Sequence, residues 1–117
     1  MAATAWAFYH MAKEYIGDGT IDLDTDNFRM SLYLSTSNAA SVTSITAIGS
    51  VTNQITEQFG YSSSGKALAA VTWVTGASGG ERRWKFTSTG VKWSANGGTI
   101  SGVSFAVIWA SGGQLLA

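Results

Sequence analysis

The stretch FRMSLYLS, residues 28–35, decides the fold that the sequence predicts. Large apolar side chains occupy every second position from Phe28 to Leu34. A period of two is the spacing of a β-strand that buries one face and leaves the other in solvent. The predicted inward residues are Phe28, Met30, Leu32 and Leu34, and the predicted outward residues are Arg29, Ser31, Tyr33 and Ser35.

The residues before this stretch continue the alternation in the opposite register. In TIDL, residues 20–23, the apolar positions are Ile21 and Leu23, which are odd, whereas the apolar positions after DTDN (24–27) are even. A shift of one residue moves a strand's side chains to the other face. We therefore expect a bulge or a tight turn at DTDN.

The N-terminal residues follow the helical period instead. The apolar stripe that indicates a helix consists of Ala5, Phe8, Tyr9, Ala12, Tyr15 and Ile16. The predicted helix covers about residues 4–16, with Thr4 as N-cap and Gly17 as the left-handed residue after its end.

The remainder of the chain predicts short strands separated by glycine-rich breaks. Residues 36–52 indicate a long loop, and the predicted strands are 54–61, 66–75, 81–88, 91–94, 99–110 and 114–117. This pattern favours a mainly β fold, an antiparallel, jelly-roll-like β-sandwich with a short N-terminal helix. We expect one domain over residues 1–117, in which residues 1–17 form the helical arm.

Composition predicts a protein that associates with other subunits. Net charge is zero, only 12% of residues are charged, and there is no cysteine. From these values we expect no binding to nucleic acid or membranes and no thiolate metal site. A weakly charged surface favours association with other subunits. Proline, which often protects strand edges, is absent. We expect the strand at 114–117 to be completed by something outside the chain.

The stretch GYSSSGKA, residues 60–67, resembles a phosphate-binding P-loop at first sight. The residue that would bind magnesium is Ala67 rather than serine or threonine, and no strand–loop–helix pattern surrounds it. We interpret the stretch as a serine-rich turn that leads into a strand.

No other motif predicts catalysis, a cofactor or a specific metal site. Asp22, Asp24 and Asp26 have the first spacings of an EF-hand loop, but Asn27 and Tyr33 stand where glycine and glutamate are required. A looser calcium site stays open beside the preferred interpretation, which is turn chemistry. The single histidine, His10, lies off the apolar stripe, and no pair among Asp18, the three aspartates above, Glu57 and Glu81 stands out as catalytic.

The five tryptophans admit a sugar-binding surface as an alternative. Trp73 and Trp109 lie in apolar runs and are expected in the core. Trp84 alternates with Arg83 and Lys85, so we expect it to face inward beside Phe86. The basic residues Arg82, Arg83 and Lys85 are interpreted as a solvated strand face or an ion-pair contact with a partner.

Three segments together resemble a family of small virion structural proteins of tailed bacteriophages. They are FYHMAKEYIGDGTIDLDTDNFRMSLY (8–33), TNQITEQFGYSSSGKALAAVTW (52–73) and WSANGGTISGVSFAVIW (93–109). The family pattern is a short helix, an "LDTDTFKM-LY" strand, a "GYSSSGKAL–VTW" segment and a late "GGTI–AVIW" strand. The resemblance covers most of residues 8–109, and its motifs carry no catalytic chemistry. It implies a β-rich domain on the head shell or the tail of the particle.

The resulting hypothesis is a non-enzymatic capsid decoration, or cement, protein on the outer surface of the phage head. Its expected partners are the major capsid protein or other virion proteins, together with copies of itself in a homotrimer. The residues expected at an interface are Trp6, Phe8, Tyr9 and Tyr15. The alternatives are a carbohydrate- or receptor-binding module of a fibre, with Trp84 or Trp93 exposed, and a tail-associated structural protein.

Overall fold

The structure is a computed structural model that describes residues 6–75, 82–87 and 93–117. The described part is mainly β, with one short α-helix. Its elements in chain order are helix α1 (His10–Gly17), strand β1 (Phe28–Tyr33), a 3₁₀ helix (Ile48–Ser50), and strands β2 (Lys66–Ala67), β3 (Ala69–Thr75), β4 (Arg82–Thr87) and β5 (Phe105–Ala110).

The strands form two antiparallel sheets. One has three strands in the order β2–β1–β5, and the other is the pair β3–β4. In the larger sheet β1 is central, with Phe28 opposite Ala110 and Tyr33 opposite Phe105. The stretch quoted first is therefore the strand around which the described sheet is built.

Strand β1 is buried on both faces, which corrects the prediction of an inward and an outward face. Phe28, Met30 and Leu32 are buried as expected, but Ser31 and Tyr33 are each only 1% exposed. The physical reason is coverage from both sides of the sheet. Ser31 Oγ accepts a hydrogen bond from Trp109 Nε1 at 3.0 Å, so this small polar residue is buried with its partner supplied.

Helix α1 is shorter than predicted, because it begins at His10 rather than near residue 4. Tyr9 is extended (φ −64°, ψ 144°), and its N–H donates to Leu116 O at 3.0 Å instead of entering the helix. Gly17 is the last helical residue, and the left-handed residue is Gly19, at φ +85°. The proposed N-cap, Thr4, lies outside the described residues.

A tight turn precedes β1 at DTDN, as predicted, but TIDL is not a strand, so the turn does not reset a strand register. Asp22 Oδ1 accepts hydrogen bonds from the N–H groups of Asp24 (2.9 Å) and Thr25 (3.2 Å). Asp22 N–H in turn donates to Asp26 Oδ2 at 2.9 Å. Aspartate side chains that bond the backbone two or three residues ahead stabilise turns rather than strands.

The C-terminal residues 114–117 pair inside the chain, so nothing external is needed to cover their own backbone. Leu116 N–H donates to Ile108 O at 2.9 Å, and Ala110 N–H donates to Gln114 O at 2.8 Å. Leu115 and Leu116 are fully buried. The segment returns on β5 through a turn and forms an antiparallel bridge, Leu115 opposite Trp109, along the outer edge of the larger sheet.

Several other predicted strands are shorter or absent in the described part. Of residues 54–61 only Gln54 makes a bridge, opposite Tyr33. Of residues 99–110 the second half forms β5, and residues 93–94 are irregular, whereas residues 91–92 lie outside the described part. Residues 36–52 are the expected long loop, with a single turn of 3₁₀ helix.

Candidate interaction surface

The N-terminal segment that precedes α1 is fixed to the sheet by Tyr9. Its hydroxyl donates to Ala39 O at 2.5 Å, and the next residue, His10, donates its N–H to Val42 O at 2.9 Å. The Tyr9 ring is 2% exposed, and burial raises the pKa of its hydroxyl to about 12. Tyr9 is thus an anchor inside the core.

The structure separates the four residues that the sequence assigned to an interface. Trp6 is 53% exposed and Phe8 is 46% exposed, which is unusual for aromatic side chains of this size. Tyr15 is partly buried against the core. Only Trp6 and Phe8 therefore offer large aromatic surface to a partner, while Tyr9 holds the segment that carries them.

An apolar groove with a volume of about 440 Å³ lies beside this segment. No charged side chain lines it. Its lining residues are Trp6, Ala7, Tyr9, Ala39, Ala40, Val42, Ser104, Phe105, Ala106, Val107 and Ala117. Four parts of the sequence thus meet here, namely the N-terminal segment, the 36–52 loop, β5 with the residue before it, and Ala117.

Sequence reasoning missed the groove because its walls come from segments far apart in the sequence, one of which is a loop of small residues without periodicity. Ala39, Ala40 and Val42 belong to the loop that has only a weak apolar pattern. The signal that did exist was the clustering of Trp6 and Phe8 in one short segment. Only the return of residues 114–117 onto β5 shows that this segment lies at a strand edge.

The exposure of the tryptophan side chains differs in part from the prediction. Trp73, expected in the core, is 43% exposed on β3. Trp84 faces inward as predicted, with its ring edge-on to Phe28 at 5.0 Å between centroids and its Nε1 donating to Leu23 O at 3.0 Å. Trp93 packs against Tyr61 at 5.8 Å. The side chains of Arg82, Arg83, Lys85 and Phe86 lie outside the described part.

The stretch GYSSSGKA is a turn that leads into β2, as interpreted from the sequence. Arg29 occupies the inside of the turn, where its Nε donates to Ser64 O at 2.7 Å and its Nη2 to Gly65 O at 3.0 Å. Gly65, at φ +73°, lies so close to β1 that a Cβ there would stand 2.5 Å from Met30 O. The carbonyls that line the turn are thus occupied by the chain's own guanidinium group.

The side chains of Asp18, Asp22, Asp26 and Glu57 accept hydrogen bonds from nearby backbone N–H groups. Hydrogen bonds from Thr20 lower the pKa of Asp18, and those from Asp24 and Thr25 lower the pKa of Asp22. Hydrogen bonds from Ser63 lower the pKa of Glu57. Within residues 6–75, 82–87 and 93–117, no three acidic or histidine side chains are placed to hold a metal ion.

Comparison with known proteins finds no matching family model, no matching curated protein and no matching solved structure. Among the described residues, no helix has the length and hydropathy to cross a membrane. The groove and its exposed aromatic residues are therefore the features on which a function can be argued.

Proposed function

We propose that this chain is a non-enzymatic structural protein of a tailed-bacteriophage virion, and specifically a capsid decoration protein on the outer surface of the head. It would stabilise the shell by contacts with the major capsid protein and with further copies of itself. The finer architecture that accompanies this proposal is a single-domain, jelly-roll-like β-sandwich over residues 1–117, with its short helix at His10–Gly17.

The observation that carries the proposal is the groove beside Trp6 and Phe8, which no charged side chain lines. Contiguous exposed apolar surface on a small protein marks a contact with another macromolecule more often than a solvated face. Aromatic residues are also enriched at interfaces, where burial of one ring contributes about 1 kcal/mol or more. The resemblance of residues 8–109 to virion structural proteins supports the same class of function.

Co-sedimentation with assembled shells of the major capsid protein tests this proposal. We expect the purified chain to pellet with shells at a fixed ratio and the variant Phe8→Ser to bind more weakly. A matched control is Trp73→Ser, which removes an aromatic residue of similar exposure on β3. If the wild-type chain stays in the supernatant with shells present, the decoration role is wrong.

Point substitution is preferable to deletion of residues 1–16, because that segment is part of the fold. Tyr9 and Ala12 are both core residues, and Tyr9 bonds to Leu116 and Ala39. A chain without them would lose stability and shell binding together. Exposed Trp6 and Phe8 can be replaced without removing buried contacts of that kind.

A second candidate function, a carbohydrate- or receptor-binding module of a fibre, is favoured by Trp73. Its indole is 43% exposed, and its position on β3 is directly opposite Trp84 on β4. Trp84 packs against Phe28, so the exposed Trp73 ring alone would offer a stacking surface to a sugar. A glycan array that gives hits lost in Trp73→Ser would favour this function, whereas an array without hits would count against it.

A further inference from the structure

The loop that precedes β5 contains an asparagine whose next residue is glycine. This pair is Asn96 and Gly97. The other asparagines, each followed by a bulkier residue, are Asn27, Asn38 and Asn53. The side-chain carbon Cγ of an asparagine can be attacked by the backbone nitrogen of the next residue, which closes a cyclic imide. Glycine leaves that nitrogen uncrowded because it has no Cβ, so the sequence favours this reaction at Asn96.

The structure leaves both reacting groups accessible to solvent. Asn96 and Gly97 are exposed. In the described part of the chain, neither the side-chain amide of Asn96 nor the N–H of Gly97 makes a hydrogen bond. Gly97 has a φ of +80°, and apart from its chain neighbours no atom lies within 4 Å of the position that a Cβ would take. Water and hydroxide therefore reach the attacking nitrogen.

Two of the other asparagines are restrained by the fold. The side chain of Asn38 is bonded through both of its polar atoms, because it donates to Ser50 O at 2.9 Å and accepts from a backbone N–H at 2.9 Å. Asn53 Nδ2 donates to Thr36 O at 2.9 Å. These amides cannot turn toward the next backbone nitrogen without breaking their hydrogen bonds. No such bond restrains Asn96.

From these observations we propose that Asn96 is a site of spontaneous deamidation and isoaspartate formation in the folded chain. The Gly97 nitrogen loses its proton to hydroxide and bonds to Asn96 Cγ. The bond from Cγ to Nδ2 then breaks, and the nitrogen leaves as ammonia with a proton from water. This inference goes beyond the decoration role and does not depend on it, because the reaction needs only the chain and water.

Water opens the cyclic imide in either of two ways. Cleavage between the Gly97 nitrogen and Cγ leaves an ordinary aspartate. Cleavage between that nitrogen and the backbone carbonyl carbon of Asn96 leaves isoaspartate, in which the chain runs through Cβ and Cγ. Both products replace a neutral amide by a carboxylate, and neither step changes an oxidation state.

The hydrogen bond that fixes the loop at Asn96 is compatible with closure of the imide ring. Asn96 N–H donates to Phe59 O at 3.0 Å. The ring contains Cα, Cβ, Cγ and the carbonyl carbon of Asn96 together with the nitrogen of Gly97. The nitrogen of Asn96 lies outside the ring, so this hydrogen bond need not break when the ring closes.

The isoaspartyl product should disturb the packing of the loop, because the loop is held on both sides of the reacting pair. Trp93 packs against Tyr61, and Ile100 packs against the buried cluster that contains Tyr61. Gly98 lies against the ring of Phe59 with no room for a Cβ. Isoaspartate lengthens the backbone between these contacts by an additional carbon atom, and it adds a negative charge to a chain of zero net charge.

Peptide mapping of the folded chain after incubation in mildly alkaline buffer tests the proposal. Trypsin cuts after lysine and arginine, so Asn96 is the only asparagine of the peptide 93–117, while the other asparagines fall in 14–29 and 30–66. We expect Asn96 to be lost at least about 10-fold faster than the others, which corresponds to a barrier difference of about 1.4 kcal/mol. The rate should rise with pH, because the attacking nitrogen must lose its proton.

The products identify the path of the reaction. A cyclic imide gives two forms of the peptide 93–117 with the same mass, aspartate and isoaspartate, and isoaspartyl methyltransferase labels only the second. Direct hydrolysis of the amide gives aspartate alone. A gain in mass without any isoaspartyl label would therefore overturn the proposal.

A synthetic peptide, SANGGT (94–99), supplies the rate of the pair without the fold. We expect the folded chain to react within about 10-fold of this peptide. A larger reduction in rate, or an intact Asn96 in the folded chain while the peptide reacts, would mean that the fold prevents ring closure. Either result would overturn the proposal.

Two variants test the roles of the two residues. Gly97→Ala places a methyl group beside the attacking nitrogen and should slow the loss of Asn96 at least about 10-fold. Circular dichroism checks that this variant is folded, since alanine is disfavoured at a φ of +80°. Asn96→Gln keeps glycine and lengthens the side chain, so it should give no isoaspartyl label. An unchanged rate in the first variant, or a persisting label in the second, would contradict the assignment.

Discussion

The two sheets are built from similar alternating sequences, but their burial differs greatly. In β1 every residue except Arg29 is buried. In β3, none of the side chains that the structure describes is buried, and Trp73 is 43% exposed. Strand β1 has a neighbour on each side, whereas the pair β3–β4 has no third strand among the described residues.

This difference shows that neighbours, rather than the strand's own pattern, decide burial. A two-stranded unit is marginally stable by itself and depends on contacts with other parts of the protein. Two described contacts of this kind are Val71 of β3, which packs against the main core, and Trp84, whose ring packs edge-on against Phe28 of β1 and whose Nε1 bonds to Leu23 O. The larger sheet is therefore expected to carry most of the stability.

Truncation of Phe28 should give the largest loss. Its ring is buried and in contact with Trp84. Phe28→Ala should lower the free energy of unfolding by about 3–5 kcal/mol because it removes apolar contacts and leaves a cavity. The matched change in the smaller sheet, Trp73→Ala, should cost less than about 1 kcal/mol. Urea denaturation measures both, and equal losses would contradict the difference between the sheets.

Two glycine substitutions test how closely the GYSSSGKA turn approaches β1. Gly65→Ala should cost on the order of 3 kcal/mol, because the new Cβ would lie 2.5 Å from Met30 O and 2.6 Å from Ser31 Oγ at φ +73°. Gly97 has a similar φ of +80°, but nothing lies within 4 Å of its Cβ position. Gly97→Ala should therefore cost only the conformational strain, about 1–2 kcal/mol. Thermal unfolding of both variants would show similar losses if the close approach were absent.

The buried hydrogen bond between Ser31 and Trp109 should have an intermediate effect. Ser31→Ala leaves the indole N–H, which now donates at 3.0 Å, without its acceptor. The expected loss is about 1–3 kcal/mol. A double-mutant cycle with Trp109→Phe isolates the bond, because the double variant should lose less than the sum of the two single variants. Additive losses would mean that the bond contributes nothing.

The buried tyrosines predict a loss of stability at high pH. Burial raises the pKa of Tyr9 from 10.0 to about 12. The pKa of Tyr33 is also raised to about 12, mainly by burial and further by the nearby Tyr61 and Tyr9. Both are neutral in the folded chain. Their contribution is therefore complete below pH 10.0 and is lost as pH rises toward about 12.

Unfolding free energies measured at stepwise higher pH check this effect. The fall above pH 10.0 should be shallower in Tyr9→Phe than in the wild type, because one of the two titrating groups is gone. The same variant should lose about 0.5–1.5 kcal/mol at neutral pH, since the hydrogen bond to Ala39 O disappears. Tyr15→Phe, a change at a partly buried residue, is the control. An unchanged slope in Tyr9→Phe would show that Tyr9 does not titrate in this range.

Local patterns in the sequence determined the main elements correctly. The period of two predicted β1, and the apolar runs with glycine-rich breaks predicted β3, β4 and β5, because side-chain spacing directly reflects strand geometry. The aspartate-rich turn before β1 and the serine-rich turn before β2 also followed from residues whose side chains bond their own backbone. These features depend on neighbours in the sequence, so the sequence is sufficient to predict them.

Only the tertiary structure decided which faces are buried and where the candidate surface lies. Ser31 and Tyr33 are buried because Trp109 and the packed loops cover a face that the alternation assigned to solvent. Tyr9 leaves the helix because Leu116, more than a hundred positions away, accepts its N–H. The groove likewise forms where the N-terminal segment, the loop, β5 and Ala117 meet. Such contacts depend on how distant segments pack, and the period of a single segment contains no information about its neighbours in space.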